Sequence, residues 1–391
     1  MSETAKIDNL GAAIKYVCDL ARPYLSAEYV ARVKRRHAAM FRWEQADYLP
    51  LLYWKNVPEL ERLGCYAWDE RWHEPAKSFL EQMKGVVQAA ASGSDVVPAV
   101  RADTGVINGP ALFGAGYAIP PHTRPVVNRR VPKAELAAFV LPEDITPLGV
   151  TPRILEHTQH HLQALRENGL EGLVGVHHPD TQGPFDIAAQ ARGHDIFTDF
   201  YDDPGFVHHL MEQSTRAYVA LSRLCKRLQG EGETWGNASG LWMDPGGVRL
   251  CDDSGILVSA ASFQTFLEPY YGQAFEPFGG GWLHYCGGVP GGGRPEGLHL
   301  HDCYLRIPRL RGLNFTTGRD LAAEIRKLTA SRIVYYGGYP RQKDEDLAAY
   351  FRRVLQFCPG RTGLIFTPEI RPEEADGFML AWRKAQDELF A

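Results

Sequence analysis

The segment Trp282-Leu-His284-Tyr-Cys286-Gly-Gly288 carries the residues whose types and spacing point most clearly to chemistry. Side chains at i and i+2 of a β-strand point to the same side, so a strand ending here would project His284 and Cys286 together. An imidazole and a thiolate side by side form half of a zinc site. The glycines after Cys286 let the chain turn sharply and leave an open face for substrate. A half-buried histidine and a packing cysteine are the alternative, because cysteine is often simply buried.

Other reactive side chains also follow short apolar runs. Asp252 and Asp253 come directly after the run that ends at Cys251. We expect them to form either a solvated turn or carboxylates that orient a substrate or a metal ligand. His177 and His178 precede Pro179, so at most one of them faces a site at that strand end, and His177 is taken as a candidate for substrate contact. Of the seven cysteines, only Cys286 has a partner at ligand spacing at a predicted strand end, which predicts packing roles for the other six.

Two patterns of elements have to position these residues. Residues 1–94 are predicted to form a helical elaboration, and residues 95–391 alternate short strands with helices. The helices predicted in the first part are Ala12–Leu20, Ala27–Glu44 and Pro75–Ala91. The strands predicted after residue 150 are Gly172–His177, Gly247–Cys251, Gly281–Tyr285, Leu310–Phe315, Arg332–Tyr336 and Thr362–Phe366. The stretches Asp95–Pro147 and Asp180–Ala191 are expected to be irregular and to carry specificity.

Alternating strands and helices predict an α/β fold with a parallel sheet. A doubly wound nucleotide fold would carry a glycine-rich phosphate loop, and neither GxGxxG nor GxxxxGK[ST] occurs. A (β/α)8 barrel takes roughly 250 residues, and the excess goes to the N-terminal elaboration. We therefore predict a single (β/α)8 barrel of the TIM type, in which working residues follow the carboxyl ends of the strands.

The composition excludes several classes of function. The chain has 391 residues with 42 Lys+Arg against 47 Asp+Glu and no basic block, so a nucleic-acid partner is not expected. No apolar run of ~18 residues and no secretory leader is seen, which predicts a cytoplasmic protein with no membrane role. The odd, scattered set of cysteines does not suggest a disulfide framework. A homodimer is compatible with the sequence, although no feature decides it.

Several segments together resemble the uroporphyrinogen decarboxylase superfamily, in order from about residue 150 to the end. The first match is the His284-x-Cys286-Gly strand end. Upstream, Gly183-Pro-Phe through Gly193 is similar to the GPF…A…G segment of the superfamily, and Asp202-Asp-Pro-Gly-Phe-Val-His208 is similar to its P-x-x-V-H helix start. Cys251-Asp-Asp-Ser-Gly255 is similar to its DD-x-G element, and Tyr336-Gly-Gly-Tyr-Pro340 is similar to its GG(N)x-P strand end. The resemblance also places Asp103 where the superfamily has a first-strand aspartate.

Two branches of that superfamily differ in chemistry. Metal-free decarboxylases carry an RQAGRY segment, whereas the corresponding region here reads Leu49-Pro-Leu-Leu-Tyr-Trp-Lys55. The cobalamin-dependent methyltransferase branch, which includes coenzyme M methyltransferases and O-demethylase components, carries a zinc-binding H-x-C-G and a later cysteine in a PGCG segment. His284 and Cys286 match the first motif. The resemblance therefore implies Zn²⁺, a corrinoid (cobalamin) co-substrate, free or on a corrinoid protein, and a small methyl donor or acceptor.

The third zinc ligand departs from this pattern. The last strand ends in Phe366-Thr-Pro-Glu369, so Glu369 stands where the cysteine is expected, and Cys358 or loss of the site are the other possibilities. Two further hypotheses stay open. One is a metal-free decarboxylase-like lyase that receives substrate carboxylates on Arg101, Arg192 or Arg249, and the other is a non-catalytic corrinoid-binding relative.

Overall fold

The N-terminal helices form where the sequence predicts them. The computed structural model describes residues 6–288, 293, 295–315, 320–371 and 374–391. Three predicted helices are confirmed as α1, α2 and α4, and two of them begin at side-chain caps. Asn9 Oδ1 accepts the Ala12 amide at 2.9 Å, and Ser26 Oγ accepts the Tyr29 amide at 3.1 Å. The α-helices are α1 Leu10–Ala21, α2 Ala27–Arg42, α3 Trp68–His73, α4 Pro75–Ser92, α5 Asn108–Leu112, α6 Lys133–Ala138, α7 Thr151–Glu167, α8 Pro184–Arg192, α9 Ile196–Asp202, α10 Pro204–Gln229, α11 Ala260–Phe266, α12 Glu268–Phe275, α13 His301–Tyr304, α14 Leu321–Ala330, α15 Leu347–Leu355 and α16 Phe378–Leu389.

The second half of the chain contributes a parallel five-stranded sheet with the strand order β7-β8-β9-β10-β11. Every neighbouring pair is parallel, so the carboxyl ends of these strands meet at one edge. The register sets Cys251 of β7 opposite His284 of β8, and His284 opposite Asn314 of β9. The strands are β1 Ala99–Val100, β2 Gly116–Ala118, β3 Val126–Arg129, β4 Gly175–Val176, β5 Gly236–Ala238, β6 Leu241–Met243, β7 Arg249–Cys251, β8 Gly281–Tyr285, β9 Leu310–Phe315, β10 Val334–Gly337 and β11 Leu364–Phe366.

Three smaller pairings complete the strands. β1 and β4 are parallel, whereas β2 with β3 and β5 with β6 form antiparallel hairpins. Leu51 makes a parallel bridge with Phe366 of β11, so an extended segment of the N-terminal region extends the sheet. The fold is therefore mixed α/β with a parallel sheet, as predicted. In the part of the chain that the structure describes, the largest sheet has five strands.

The long helix α10 shows how local sequence places the elements around the sheet. Asp203 caps its first turn, Pro204 occupies the first helical position, and Gly230 ends it in the left-handed conformation. Its buried face packs against α8 and α12. The core between helices and sheet is one large apolar cluster, and a second cluster lies among α1, α2, α4, α7, β1 and β4.

The segment after His178 differs from the prediction. The sequence predicts an irregular stretch over Asp180–Ala191, but Pro184–Arg192 forms α8 with proline in its first turn. Among the described residues, no helix combines the length and the apolar character that a bilayer span requires.

Candidate metal centre

A cluster of three possible metal ligands lies at the carboxyl ends of β7 and β8. Ligand atoms of Cys251, Asp253 and His284 all lie within 4.8 Å of one another. The parallel register places Cys251 beside His284, and the turn after β7 brings Asp253 to the same point. Within the described ranges this is the one group of three or more such side chains.

Cys286 lies beside this group. Its Sγ is 3.2 Å from His284 Nε2, and its backbone N–H donates to Asp253 Oδ1 at 2.6 Å. Two ligands of one tetrahedral zinc would be roughly 3.5 Å apart, given Zn–S of about 2.3 Å and Zn–N of about 2.0–2.1 Å. The structure thus brings His284 and Cys286 together, as their spacing on one strand implies, and adds Cys251 and Asp253 to them.

Asn314 orients the His284 ring. His284 Nδ1–H donates to Asn314 Oδ1 at 2.5 Å, and the Asn314 amide NH₂ donates to the carbonyl of Tyr336. The second bond fixes which amide atom faces the imidazole, which assigns the proton to Nδ1 and leaves the Nε2 lone pair toward Cys286. Burial lowers the pKa of His284, and the nearby Arg249 guanidinium lowers it further. A neutral imidazole with a free Nε2 is the form that binds a metal ion.

Arg249 forms the positively charged side of the cluster. Its Nη2 lies 3.6 Å from Cys251 Sγ and its Nη1 lies 2.8 Å from Asp180 Oδ1. Burial raises the pKa of Cys251 well above its usual value, whereas Arg249 opposes that rise. Burial also acts to raise the pKa of Asp180, but Arg249 and Arg101 outweigh it and hold this pKa at about 2. Asp180 is therefore a carboxylate at neutral pH, and it balances the charge of Arg249.

Asp186 and Asp252 support the turn that carries Asp253. The Asp186 carboxyl accepts the backbone N–H groups of Asp253 and Ser254, at 2.9 and 2.6 Å. Burial and the nearby Asp253 charge raise the pKa of Asp186 to about 7. Asp252 is fully buried and accepts a hydrogen bond from the Tyr271 hydroxyl, and burial raises the pKa of its carboxyl. Asp252, predicted as a catalytic candidate, thus faces buried tyrosines of the core.

Glu369 and Cys358, the predicted choices for a third ligand, lie outside the cluster. Glu369 is exposed, and its Oε2 accepts the Arg341 backbone N–H at 3.2 Å. It lines a cavity of about 340 Å³ with Tyr339 and other side chains at the ends of β9–β11. Cys358 follows α15, where burial raises its thiol pKa to about 12. Glu369 is not part of the cluster around His284. Its role as a metal ligand stays a prediction.

The candidates from β1 and β4 occupy a neighbouring set of charges. His177 is buried, and its Nδ1–H donates to the His178 carbonyl at 2.9 Å. Burial, together with Arg101, lowers the pKa of His177 to about 3, so its imidazole is neutral near pH 7. Asp103 pairs with Arg101 at 3.0 Å. The structure places both candidates beside Arg101, and their catalytic roles stay predictions.

Three residues of the site were missed by sequence reasoning. Cys251 was assigned to packing, although it ends a predicted strand directly before two aspartates. Asn314 is a polar residue near the end of an otherwise apolar predicted strand, which was a usable signal. Asp186 lies in a segment expected to be irregular, and only the folded chain shows that it supports the turn at Asp253.

The donor set fits a zinc ion. Thiolate, imidazole and carboxylate are the ligands that zinc takes in proteins, and structural or catalytic zinc is tetrahedral. Cys251, Asp253, His284 and Cys286 supply two sulfur, one oxygen and one nitrogen donor within one turn-and-strand cluster. If three of them hold the ion, a fourth position is open to a substrate.

Comparisons with known proteins find a relative for this chain only at the level of its fold. No family model matches the sequence, and no curated protein matches it either. The structure is similar to the solved structure of a methyltransferase from Methanosarcina mazei. The TM-score is 0.63 at 16% identity, and the match covers 92% of this chain and 99% of that chain. At this identity the likeness establishes the fold, and the resemblance to the uroporphyrinogen decarboxylase superfamily stays a hypothesis.

Proposed function

We propose that this protein is a zinc-dependent methyltransferase. The observation that carries the proposal is the cluster of Cys251, Asp253 and His284, with Cys286 beside it, at the carboxyl ends of adjacent parallel strands. The similarity in fold to a methyltransferase over 92% of the chain supports the same conclusion. Catalytic groups at the carboxyl ends of parallel strands are the rule in α/β enzymes.

Three of the four side chains at the cluster would hold the ion, which leaves a position for the acceptor thiol. A bound zinc supplies positive charge that lowers the pKa of a coordinated thiol, which has a pKa near 8.5 when free. His284 presents Nε2 because Asn314 holds Nδ1–H. Asp253 is held by the backbone N–H of Cys286 at one oxygen, and Asp186 fixes the turn on which it stands.

In the proposed reaction an acceptor thiol receives a methyl group. The acceptor loses its S–H proton to solvent or a nearby base, its sulfur forms a bond to the methyl carbon, and the bond from that carbon to the donor breaks. The electron pair of the broken bond stays with the donor. A corrinoid as methyl donor, free or carried by a partner protein, is proposed from the sequence resemblance alone.

The strands outside the main sheet support a closed barrel, which we propose as the full architecture. Leu52 donates its N–H to the Phe366 carbonyl at 2.8 Å, and Asp95 donates to the Leu51 carbonyl at 2.8 Å. β1 then pairs with β4, and His178 donates to the Asn237 carbonyl of β5 at 3.4 Å. These bonds form a path from β11 back toward β5. Because Leu51 belongs to this path, the proposed barrel includes residues that come before position 95, where the sequence pattern places its start.

The metal-free lyase alternative needs basic groups that are free to bind substrate carboxylates. Arg249 is paired with Asp180, Arg101 with Asp103, and Arg192 with Asp199 at 2.8 Å. These pairings favour the methyltransferase over the lyase. A cytoplasmic location and a homodimer are kept as expectations from the sequence.

Methyl transfer from methylcobalamin to a small thiol tests the function. We expect purified protein to convert methylcobalamin in the presence of 2-mercaptoethanol, followed by the change in its visible spectrum. The His284→Ala variant should lose this activity, and a chelator should remove it from the wild type. Full activity in zinc-free protein would overturn the proposal, and zinc binding without turnover of any thiol would favour a non-catalytic relative.

A further inference from the structure

A second cavity lies at the amino ends of β1 and β4, away from the metal cluster at the carboxyl ends of β7 and β8. It has a volume of about 340 Å³ and is lined by Val97 and Pro98, which precede β1, and by Leu173 and Val174, which precede β4. The proposed metal centre stands at carboxyl ends, whereas this cavity stands at amino ends. Its volume lies within the range of small-molecule sites.

Lys34 contributes an ammonium group to the wall of this cavity. Its Nζ lies 4.0 Å from the centroid of the Trp242 ring. Within the described part of the chain, no carboxylate oxygen lies within 4.0 Å of it. Glu231 also lines the cavity and acts electrostatically on Lys34, but its own hydrogen bonds go elsewhere, since it accepts the Asn237 N–H at 2.6 Å and lies 3.4 Å from Lys226 Nζ. The ammonium of Lys34 thus has hydrogen-bond donors to spare.

Two side-chain amides add unsatisfied polar groups to the same wall. Asn237 is 4% exposed, and its Oδ1 has no hydrogen-bond partner. Both amide atoms of Gln229, at the end of α10, are also buried without a partner. Buried polar groups without partners are rare in folded proteins, and each one calls for an explanation such as a bound molecule. Rotation about the terminal torsion lets an amide offer either its donor or its acceptor side.

Apart from Glu171, which pairs with Arg166 at 3.4 Å, the rest of the wall is mainly apolar. The rings of Trp235 and Trp242 lie 5.3 Å apart at 35° to each other. Val30 and Leu162 are among the aliphatic side chains that complete the lining. Indole faces and aliphatic side chains suit a planar apolar body. The ammonium of Lys34, which has no described carboxylate oxygen within 4.0 Å, suits an anionic group on that body.

We propose that this cavity is a non-catalytic binding site for a small monocarboxylate with a planar, apolar body. The carboxylate would accept hydrogen bonds from Lys34 and from the amides of Asn237 and Gln229, while the rings pack on Trp235 and Trp242. The proposal does not depend on zinc or on methyl transfer, since none of its residues belongs to the metal cluster.

Calorimetric titration of the full chain with 2-naphthoate tests the proposal. We expect binding to the wild type that weakens about tenfold or more in Lys34→Met, because a charge-assisted hydrogen bond is lost. Lys34→Arg should retain binding. Lys384→Met is the matched control, because Lys384 is exposed on α16 and should leave affinity unchanged. The amine 2-naphthylmethylamine, which has the same rings and the opposite charge, should bind more weakly than naphthoate.

Each outcome decides the proposal. No binding of 2-naphthoate to the wild type overturns it, as does affinity that Lys34→Met leaves unchanged, or equal binding of the amine. Thermal melts establish whether each variant folds. If Lys34→Met does not fold, Gln229→Leu takes its place, with exposed Gln163→Leu on α7 as the control. Weaker binding in Gln229→Leu alone supports the site, and equal binding in both overturns it.

Discussion

Removing the amide of Asn314 should weaken metal binding without unfolding the protein. Asn314 holds no ligand position itself, and it acts by receiving the Nδ1–H of His284 at 2.5 Å while donating to the Tyr336 carbonyl. In Asn314→Ala the imidazole loses the partner that fixes its tautomer and ring angle. Partners of this kind typically change metal affinity by about 10–100-fold, which corresponds to about 1.4–2.7 kcal/mol of binding free energy.

Competition between the protein and a chromophoric chelator for Zn²⁺ at pH 7.5 measures this effect. The zinc affinity of Asn314→Ala should be about 10–100-fold lower than that of the wild type. The zinc affinity of Asn168→Ala should match that of the wild type. Asn168 is a suitable control because its amide bonds to the Ala164 carbonyl at the end of α7, away from the cluster. Equal zinc affinity in wild type and Asn314→Ala, with both folded by circular dichroism, would refute the role of Asn314 in orienting the ring.

Two further predictions concern stability. Burial lowers the pKa of His37 from 6.5 to about 3, so the unfolded state binds a proton that the folded state excludes, and stability is lost as pH falls below about 6.5. We expect the free energy of unfolding, measured by denaturant titration, to fall by about 2 kcal/mol less between pH 7 and pH 5 in His37→Gln than in the wild type. The exposed His73→Gln variant should behave like the wild type. Tyr304→Phe removes a 2.9 Å hydrogen bond to the buried Asp252 carboxyl and should cost about 1–3 kcal/mol. The melting temperature checks this result against exposed Tyr24→Phe, and equal melting would show that the bond contributes nothing.

The sequence predicts elements well where local signals agree. The bounds of α4 match the predicted helix Pro75–Ala91 to within one residue, because a proline in the first turn and the left-handed Gly93 mark its two ends. The predicted strand Gly281–Tyr285 is β8 itself, since a short apolar run is bounded by glycines. Closure of the proposed barrel would depend on pairings such as Leu51 with Phe366, which are more than 300 positions apart in the sequence. No local pattern carries that information.

The candidate site was predictable only within one strand. His284 and Cys286 share a strand, and the period of two places them together whatever the neighbouring strands are. Cys251 comes from a different strand, and its role depends on the order of β7 and β8 and on a register that pairs it with His284. A single sequence does not fix strand order or register.

Glu369 illustrates the opposite case. It follows β11, as the resemblance to a superfamily motif required, yet β11 stands three strands from β8 in the sheet. At about 4.8 Å between neighbouring strands, that separation is roughly 14 Å along the sheet, so Glu369 could approach His284 only across the mouth of the proposed barrel. Asp253 needs no such reach, because it follows β7, the immediate neighbour of β8.

Zinc content of purified variants tests the central claim most directly. After dialysis against metal-free buffer, we predict about one zinc per chain in the wild type, measured by mass spectrometry of the metal. Cys251→Ser and His284→Ala should lose the ion, and Glu369→Ala should retain it. Loss of zinc in Glu369→Ala together with full retention in Cys251→Ser would contradict the proposed ligand set and restore the ligands expected from the sequence.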